Sequence, residues 1–290
     1  MSESMGRRLR ELLKQDEIII APGAHDALIA RIIARTGFKA AYMTGAGVAY
    51  TTLGKPDIGL ITMSEMVQKA WYICEAAGIP VIADGDTGYG NALNVLRTVR
   101  EYERAGVACI QLEDQQLPKR CGHMSGKTLV STDEMVGKIK AACDARHDPD
   151  FLIMARTDAI AVEGLDAALE RAHKYVEAGA DILFIEAPPS VEDMKRLCKE
   201  FAGVPLLANM VEGGKTPLFT ARELQEMGYK IVIYPGAAAR VIAKAVTGLM
   251  EEIMAKGTTK EYLDHMFIFG ELNEILELKA IREQEKKYAY

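Results

Sequence analysis

The chain has 290 residues and a formal net charge of −6, with 49% apolar and 26% charged residues. This composition is typical of a globular protein, and the length suits one large α/β barrel or two ordinary domains. Nucleic acids and anionic membranes are polyanions, so the negative charge argues against either as the main partner. Residues 1–14 are charged and helical in pattern, unlike a signal peptide, and no run of eighteen apolar residues could span a membrane.

One pattern occurs eight times along the chain: a short apolar run followed by a segment with helical periodicity. Strands are predicted at 18–23, 40–45, 80–84, 109–113, 151–156, 181–186, 205–209 and 230–236. Helices are predicted at 1–14, 26–35, 64–77, 91–104, 132–146, 165–177, 191–201 and 220–227, and from the last strand to about 254. Continuous apolar runs indicate parallel strands buried on both faces, so the fold class is predicted to be α/β, a (β/α)₈ TIM barrel. An open doubly wound sheet is the alternative.

The chain shows no linker, so residues 1–290 are predicted to form a single barrel domain with a C-terminal helical extension at about 256–290. This extension mixes Phe267, Phe269 and Leu272 with charged residues. It is too long for the eighth helix of a barrel, and the C-terminal helices are therefore expected to pack on a neighbouring subunit. Packing on the chain's own barrel is the alternative.

The cysteine pattern bears on the compartment of the protein. Five cysteines are scattered along the chain without a CxxC pair, and only Cys121 lies among charges. This usage fits a reducing environment, so a cytoplasmic protein without disulfides is expected.

Polar residues cluster at the carboxyl ends of the predicted strands, where barrel enzymes build their active sites. In chain order they are Thr44, Asp84, Asp86, Glu113, Arg156, Asp158, Glu186, Asn209 and Glu212. One such acid is often a helix cap, but acids after three consecutive strands, joined by an arginine, predict a shared pocket. Asp84, Asp86 and Glu113 offer hard oxygen ligands, which favours Mg²⁺ or Mn²⁺ over zinc. Their negative charge also requires a cation.

The segment Thr44-Gly45-Ala46-Gly47 could present backbone N–H groups and a hydroxyl to a substrate carboxylate. A tight turn after the strand is the alternative. The spacing does not match a dinucleotide fingerprint, so no NAD site is predicted.

The stretch from Lys119 to Lys127 combines a thiol, an imidazole and three cations. Gly122 and Gly126 allow the unusual backbone angles that a closing lid requires. A thiol beside Lys, Arg and His has a pKa below its reference of about 8.5, so Cys121 is predicted to be an acid or nucleophile. A solvated basic loop is the alternative. The residues alone thus predict a magnesium-dependent barrel enzyme for a small 2-oxo or 2-hydroxy acid.

Six short motifs indicate the family of the protein more specifically. They are Tyr42–Gly45 (YMTG), Asp84–Gly90 (DGDTGYG), Leu112–Gln115 (LEDQ), Lys119–His123 (KRCGH), Ala155–Asp158 (ARTD) and Asn209–Pro217 (NMVEGGKTP). Together they resemble the isocitrate lyase/phosphoenolpyruvate mutase superfamily, and the similarity runs from about residue 8 to 250. The resemblance implies a barrel whose eighth helix is exchanged between subunits of a homotetramer, a dimer of dimers.

The resemblance also implies roles for single residues. The substrate's C1 carboxylate and 2-oxygen would be held by Thr44, Gly45 and Ala46. Asp84 would be the nearest Mg²⁺ ligand, with Mn²⁺ able to substitute, while the carboxylates that act largely through waters would be Asp57, Asp86 and Glu113. The residues binding the rest of the substrate would be Gly122, His123, Arg156, Glu186 and Asn209. Cys121 would be the general acid, and Tyr42 is a candidate base, with core packing as its alternative.

The implied reaction is a carbon–carbon cleavage. A base removes the proton of the C2 hydroxyl, and the C2–C3 bond breaks to leave an α-keto acid. Arg156 stabilises the enediolate of the other fragment, which Cys121 protonates under the closed lid. Phosphonate mutases of the superfamily usually lack this thiol, so a phosphonomutase is a weaker alternative, as is a barrel that binds an oxoacid without catalysis.

Two lyase types compete for the substrate. Residues 159–166 and Tyr234-Pro235 resemble 2-methylisocitrate lyases, which give pyruvate and succinate from a tricarboxylate, and Arg240 would then bind the third carboxylate. Those enzymes usually have Glu-Phe-Gly where this chain has Glu212–Gly214, and Gln-Thr-Arg where it has Phe267–Phe269. The Glu212–Gly214 stretch instead resembles that of 2,3-dimethylmalate lyase, petal death protein and oxaloacetate hydrolases. Oxaloacetate hydrolases, however, tend to have serine in place of Pro235. A dicarboxylate of the 2,3-dimethylmalate type, cleaved to pyruvate and propionate, is therefore predicted.

Overall fold

The computed structural model of the protein describes residues 3–122, 124 and 126–289. Its contacts divide the chain into two compact units, one up to Ala237 and one from Ala238. In the first unit eight parallel strands close into a barrel in sequence order, with the last strand paired to the first. The strands are β1 (Ile19–Ala24), β2 (Ala41–Met43), β3 (Val81–Asp84), β4 (Cys109–Glu113), β5 (Leu152–Thr157), β6 (Ile182–Ile185), β7 (Leu206–Asn209) and β8 (Ile231–Tyr234). The predicted TIM barrel is confirmed.

Among the described residues the first unit has nine α-helices; the first precedes β1, and the other eight connect the strands. The nine are α1 (Met5–Lys14), α2 (Ala27–Thr36), α3 (Gly45–Leu53), α4 (Met63–Ala77), α5 (Ala92–Arg104), α6 (Thr132–Ala145), α7 (Leu165–Glu177), α8 (Val191–Glu200) and α9 (Ala221–Met227). Polar residues cap many of their first turns; Asn91, for example, accepts the backbone N–H groups of Leu93 and Asn94.

Helix α3 was not predicted, because its glycine-rich start has low helix propensity and resembles a turn. It forms because Oγ1 of Thr44 accepts the N–H of Gly47 at 3.2 Å, which caps the first turn. Its first turn therefore begins directly after β2, at the carboxyl end of the barrel.

The barrel interior changes from apolar to polar along its axis. Near the amino ends of the strands, Leu9 of α1 is fully buried in the same cluster as inward-facing residues such as Cys109 and Leu152. Along β4, Cys109 is followed on the same face by Gln111 and Glu113, since side chains alternate along a strand. A functional site is therefore expected at the polar end of the barrel, where the strands have their carboxyl ends.

The second unit is helical. It contains most of α10 (Ala237–Lys256), a 3₁₀ segment (Lys260–His265), α11 (Phe269–Ile275) and α12 (Leu278–Lys286). Throughout the described part of the chain, no helix is long and apolar enough to cross a membrane.

Candidate active site

Asp84 is the last residue of β3, and three donors hold its carboxylate. Oδ1 accepts the backbone N–H of Asp86 at 3.0 Å and Nε2 of Gln111 at 3.2 Å, while Oδ2 accepts the N–H of Gly45 at 3.3 Å. A Cβ at position 45 would lie 2.6 Å from Oδ2 of Asp84, so only glycine permits this approach. The start of α3 and the end of β3 therefore line the same space.

Tyr42 is buried beside Asp84 and is linked to it through Gln111. Its hydroxyl donates to Oε1 of Gln111 at 2.8 Å, and the same amide donates to Asp84. Burial, with the charge of Asp84, raises the pKa of the Tyr42 hydroxyl well above its ordinary value. In this geometry Tyr42 is a proton donor that orients Gln111, and its predicted role as a base requires that it first lose this proton.

Gln111 was missed among the predicted site residues. The available signal was its position, a glutamine within an otherwise apolar strand that is buried on both faces. A buried amide needs hydrogen-bond partners, and here the partners are Tyr42 and Asp84.

Two of the other predicted metal ligands, Asp57 and Asp86, contact Lys119. Its Nζ lies 2.5 Å from Oδ1 of Asp57 and 2.7 Å from Oδ1 of Asp86. Burial raises the pKa of Asp86 to about 6, a shift that Lys119 opposes and nearby carboxylates reinforce. Burial likewise raises the pKa of Glu113 well above its ordinary value. Lys119, which was not among the predicted site residues, is thus the cation that Asp57 and Asp86 share.

The donor chemistry of this group fits a hydrated hard cation. Asp57, Asp84, Asp86 and Glu113 are at most 6% exposed, and Oε1 of Glu113 has no hydrogen-bond partner among the residues that the structure describes. In the same described part of the chain, no three His, Cys, Asp or Glu side chains form a complete ligand group. Carboxylates that act partly through water are the usual surroundings of Mg²⁺, so these residues fit that ion.

Arg156, near the end of β5, is 7% exposed and surrounded by carboxylates. Its guanidinium donates to Asp158 through Nε at 2.9 Å and Nη2 at 3.1 Å, and lies 3.5 Å from both Glu113 and Glu186. It also lies 4.9 Å above the ring of Phe184. Burial alone would lower the pKa of Arg156, but the three carboxylates raise it well above its ordinary value. Arg156 is therefore a permanent cation that can bind an anion at fixed geometry.

Asn209, the last residue of β7, faces the same group. Its Nδ2 donates to Glu186, at 3.2 Å from Oε2 and 3.4 Å from Oε1. Within residues 3–122, 124 and 126–289, Oδ1 of Asn209 is buried without a hydrogen-bond partner. A buried acceptor in this state is suited to receive a donor from a ligand or water.

The predicted lid lies over Arg156 and Glu186. A Cβ at Gly122 would overlap the guanidinium of Arg156 and lie 2.9 Å from two carbon atoms of the Glu186 side chain. The backbone N–H of Cys121 donates to the carbonyl oxygen of Asp57 at 3.3 Å. The lid backbone is therefore in van der Waals contact with the ion pair, and Cys121 lies beside the carboxylate cluster.

Three other lid and tail positions need separate comment. Lys127, missed among the predicted site residues, is buried and donates from Nζ to the carbonyl oxygen of Gly122 at 2.5 Å and to Asp158 at 2.6 Å. His123, predicted to bind substrate, lies outside the described residues. Arg240 belongs to the second unit, where it is exposed on α10, and its contact with substrate stays a prediction.

Known proteins resemble this sequence over most of its length. The sequence model of the phosphoenolpyruvate phosphomutase family matches residues 9–254. The chain is 56% identical to 2,3-dimethylmalate lyase of Eubacterium barkeri, over 97% of each chain. It is 48% identical to 2-methylisocitrate lyase of Aeropyrum pernix, over 94% of this chain and 88% of that relative.

Solved structures share the fold over nearly the full length. A crystal structure of 2,3-dimethylmalate lyase superposes with a TM-score of 0.94 at 38% identity, covering 100% of this chain and 97% of the other. Phosphonopyruvate hydrolase in complex with oxalate and Mg²⁺ superposes with a TM-score of 0.89 at 31% identity, covering 99% of each chain.

These similarities confirm the predicted superfamily and the prediction of a lyase, because the relatives at 56% and 48% identity are both lyases. The family match alone covers most of the chain. The chain therefore belongs to the phosphoenolpyruvate phosphomutase family, within the phosphoenolpyruvate mutase/isocitrate lyase superfamily.

Proposed function

We propose that this protein is a Mg²⁺-dependent carbon–carbon lyase that cleaves a substituted malate of the 2,3-dimethylmalate type to pyruvate and propionate. The observation that carries the proposal is the lid, which brings a thiol-bearing loop onto the Arg156–Glu186 pair. A proton donor and a fixed cation are the two groups that a carbanion-forming cleavage needs. The 56% identity to 2,3-dimethylmalate lyase supports the choice of substrate.

The keto-acid half of the substrate is assigned to the ends of β2 and β3. Thr44, Gly45 and Ala46 begin α3, and the N-terminus of a helix attracts a carboxylate. Asp84 would hold Mg²⁺ most directly, with the remaining contacts through water from Asp57, Asp86 and Glu113. When bound, Mg²⁺ or Mn²⁺ acts as a Lewis acid toward the substrate's oxygens.

The cleavage itself is assigned to residues of this chain. A base takes the proton of the C2 hydroxyl, the O–H electrons form the carbonyl of pyruvate, and the C2–C3 bonding pair moves to the other fragment. Arg156, a permanent cation, stabilises the resulting enediolate, and Glu186 and Asn209 orient the fragment. The thiol of Cys121 then protonates C3, while Gly122 and His123 of the lid complete the enclosure.

The base is assigned to Tyr42 as a hypothesis that a single substitution tests. The hydroxyl donates to Gln111 and its pKa is raised, so Tyr42 must lose its proton before it can act. Tyr42→Phe keeps the packing and removes the hydroxyl. A loss of about 10²-fold or more in kcat supports the assignment, whereas a variant with normal kcat and pH profile would exclude Tyr42 as the base.

The charge balance under the lid favours a substrate arm that ends in methyl. Arg156 is already shared among Asp158, Glu113 and Glu186. A third substrate carboxylate would need its own partner, because enclosing an unpaired charge costs several kcal/mol. A buried methyl group needs none and contributes about 0.8 kcal/mol.

The alternative is 2-methylisocitrate lyase, giving pyruvate and succinate, and the 48% identity to such an enzyme supports it. Arg240 would then be the partner of the third carboxylate. We expect kcat/KM for 2,3-dimethylmalate to exceed that for 2-methylisocitrate by at least about tenfold, which equals about 1.4 kcal/mol. Pyruvate release from both substrates on one preparation measures the ratio, and the reverse ratio would assign the chain to the alternative. Turnover of phosphonopyruvate would instead indicate a phosphonomutase, and acetate release from oxaloacetate would indicate a hydrolase.

We infer a homotetramer, a dimer of dimers, in which the C-terminal helices pack on a second copy of the chain. The support is the apolar surface of α10, on which Ile242 is 37%, Val246 46% and Met250 51% exposed at successive turns of one face. Apolar side chains grouped on a long helix mark an association surface. Light scattering should give four subunits, and Met250→Lys should lower that number.

The proposed compartment is the cytoplasm. All five cysteines are free thiols, which fits a reducing environment. Neither nucleic acid nor membrane is proposed as a partner, because the net charge is −6.

A further inference from the structure

Two buried polar side chains bind the lid backbone on either side of Cys121. Before Cys121, Nε2 of Gln115 donates to the carbonyl oxygen of Arg120 at 2.9 Å, and the N–H of Arg120 donates to Oε1 of Gln115 at 3.0 Å. After Cys121, Nζ of Lys127 donates to the carbonyl oxygen of Gly122 at 2.5 Å. Each side chain thus binds lid backbone, an interaction that depends on where the lid lies and not on which side chains it carries.

Both side chains also converge on one carboxylate, Asp158. Nζ of Lys127 lies 2.6 Å from Oδ1 of Asp158, and Nε2 of Gln115 lies 3.3 Å from Oδ2. The same carboxylate accepts both guanidinium hydrogen bonds of Arg156. Asp158 is itself fixed, because its N–H donates to Oδ1 of Asp114 at 3.0 Å.

We propose that Lys127 and Gln115 form a latch that holds the lid closed and, through Asp158, couples closure to the orientation of Arg156. They are positioning residues, and the inference rests on the proposed function in assigning Arg156 and the lid to the lyase reaction. The side chain of Lys127 is 1% exposed, and a buried ammonium persists only where its charge and donors are matched. In the structure both of its partners are in place, with Gly122 lying on the Arg156–Glu186 pair.

The latch makes closure of the lid coincide with neutralisation of the Asp158 charge by Lys127. When Gly122 moves away, Lys127 loses its carbonyl acceptor and gains access to water, so its hold on Asp158 weakens. Asp158 then keeps Arg156 as its cationic partner, and the guanidinium loses the second cation that helps to fix its acceptor. The closed lid therefore fixes Asp158 from two sides, and Asp158 in turn orients Arg156 through two hydrogen bonds.

Lys127→Met tests the latch, because methionine keeps the apolar stem and removes the ammonium. The matched control is Lys140→Met, which makes the same change on the exposed face of α6. Hydrogen exchange of the lid peptide, residues 116–128, is followed with Mg²⁺ alone and with Mg²⁺ plus pyruvate. We expect the lid amides of Lys127→Met to exchange at least about tenfold faster than in the wild type, with kcat lowered about 10²-fold and pyruvate affinity changed less than twofold. Lys140→Met should match the wild type in all three.

Unchanged lid exchange in a folded Lys127→Met protein would overturn the inference. If that variant does not fold, Gln115→Met tests the other half of the latch with the same readout. Failure of both variants to fold would also overturn it, because the two side chains would then be structural. The exchange with Mg²⁺ alone needs no turnover, so a wild type that fails to cleave 2,3-dimethylmalate would refute the proposed substrate and leave the latch result readable.

Discussion

Gly122 should be the lid position least tolerant of a larger side chain. Gly122→Ala adds one methyl group at a site where the guanidinium of Arg156 and two Glu186 carbon atoms, 2.9 Å away, already occupy the space. Carbon atoms make contact at about 3.5–4.0 Å, so the lid must move away from the Arg156–Glu186 pair by about 1 Å. A displacement of that size at a catalytic geometry costs about 10²-fold in rate, or about 2.7 kcal/mol in activation free energy.

The assay is steady-state pyruvate release, with thermal melting of the same samples. Gly122 lies in a loop that can move outward, so we expect the free energy of unfolding to change by less than about 0.5 kcal/mol. Gly137→Ala is the matched control, because a Cβ at this position of α6 would meet no described atom within 4 Å. It should leave kcat unchanged and stabilise the fold by about 0.5–1 kcal/mol, since alanine favours a helix interior.

The reasoning is refuted if Gly122→Ala retains kcat within about threefold of the wild type while melting normally. That result would mean that the lid need not lie on the Arg156–Glu186 pair during turnover. A simultaneous loss of melting temperature would instead show that the contact supports the fold.

Three further predictions concern the thiol, the metal and the ion pair. Cys121→Ser should lower kcat by about 10²- to 10⁴-fold while pyruvate still binds with Mg²⁺, and near-normal turnover would show the thiol to be structural. Chelation should abolish turnover and Mg²⁺ or Mn²⁺ should restore it, with Asp84→Ala the most damaging acid substitution; full activity of metal-free protein would contradict the assignment. The pKa of Asp158 is lowered to about 2, because Arg156 and Lys127 outweigh its burial. This carboxylate therefore contributes about 2 kcal/mol of stability above about pH 4, lost as the pH falls through 2. The stability difference between wild type and Asp158→Asn in urea unfolding should shrink below pH 4, and a difference independent of pH would refute this.

Much of the site could be located before its geometry was known, because a parallel barrel brings the carboxyl ends of all its strands to one face. Asp84, Arg156 and Asn209 lie at or near strand ends in the sequence and meet at that face in the structure. Their roles, and those of Tyr42 and Arg240, stay proposals. Helix α3 was missed because its stability comes from the Thr44 cap and not from the propensity of its glycine-rich first turn.

The sequence by itself determined the barrel and the family. Eight apolar runs in a fixed alternation with amphipathic helices leave few folds that bury every strand on both faces, and the motifs are local enough to be recognised in order. Only the tertiary structure decided which polar residues act together. The partners of Asp158 come from positions 115, 127 and 156, and those of Gln111 from 42 and 84. These contacts depend on distances of a few ångströms between residues far apart in the chain, and on burial that makes each unmatched donor or charge costly, neither of which is present in the order of residues alone.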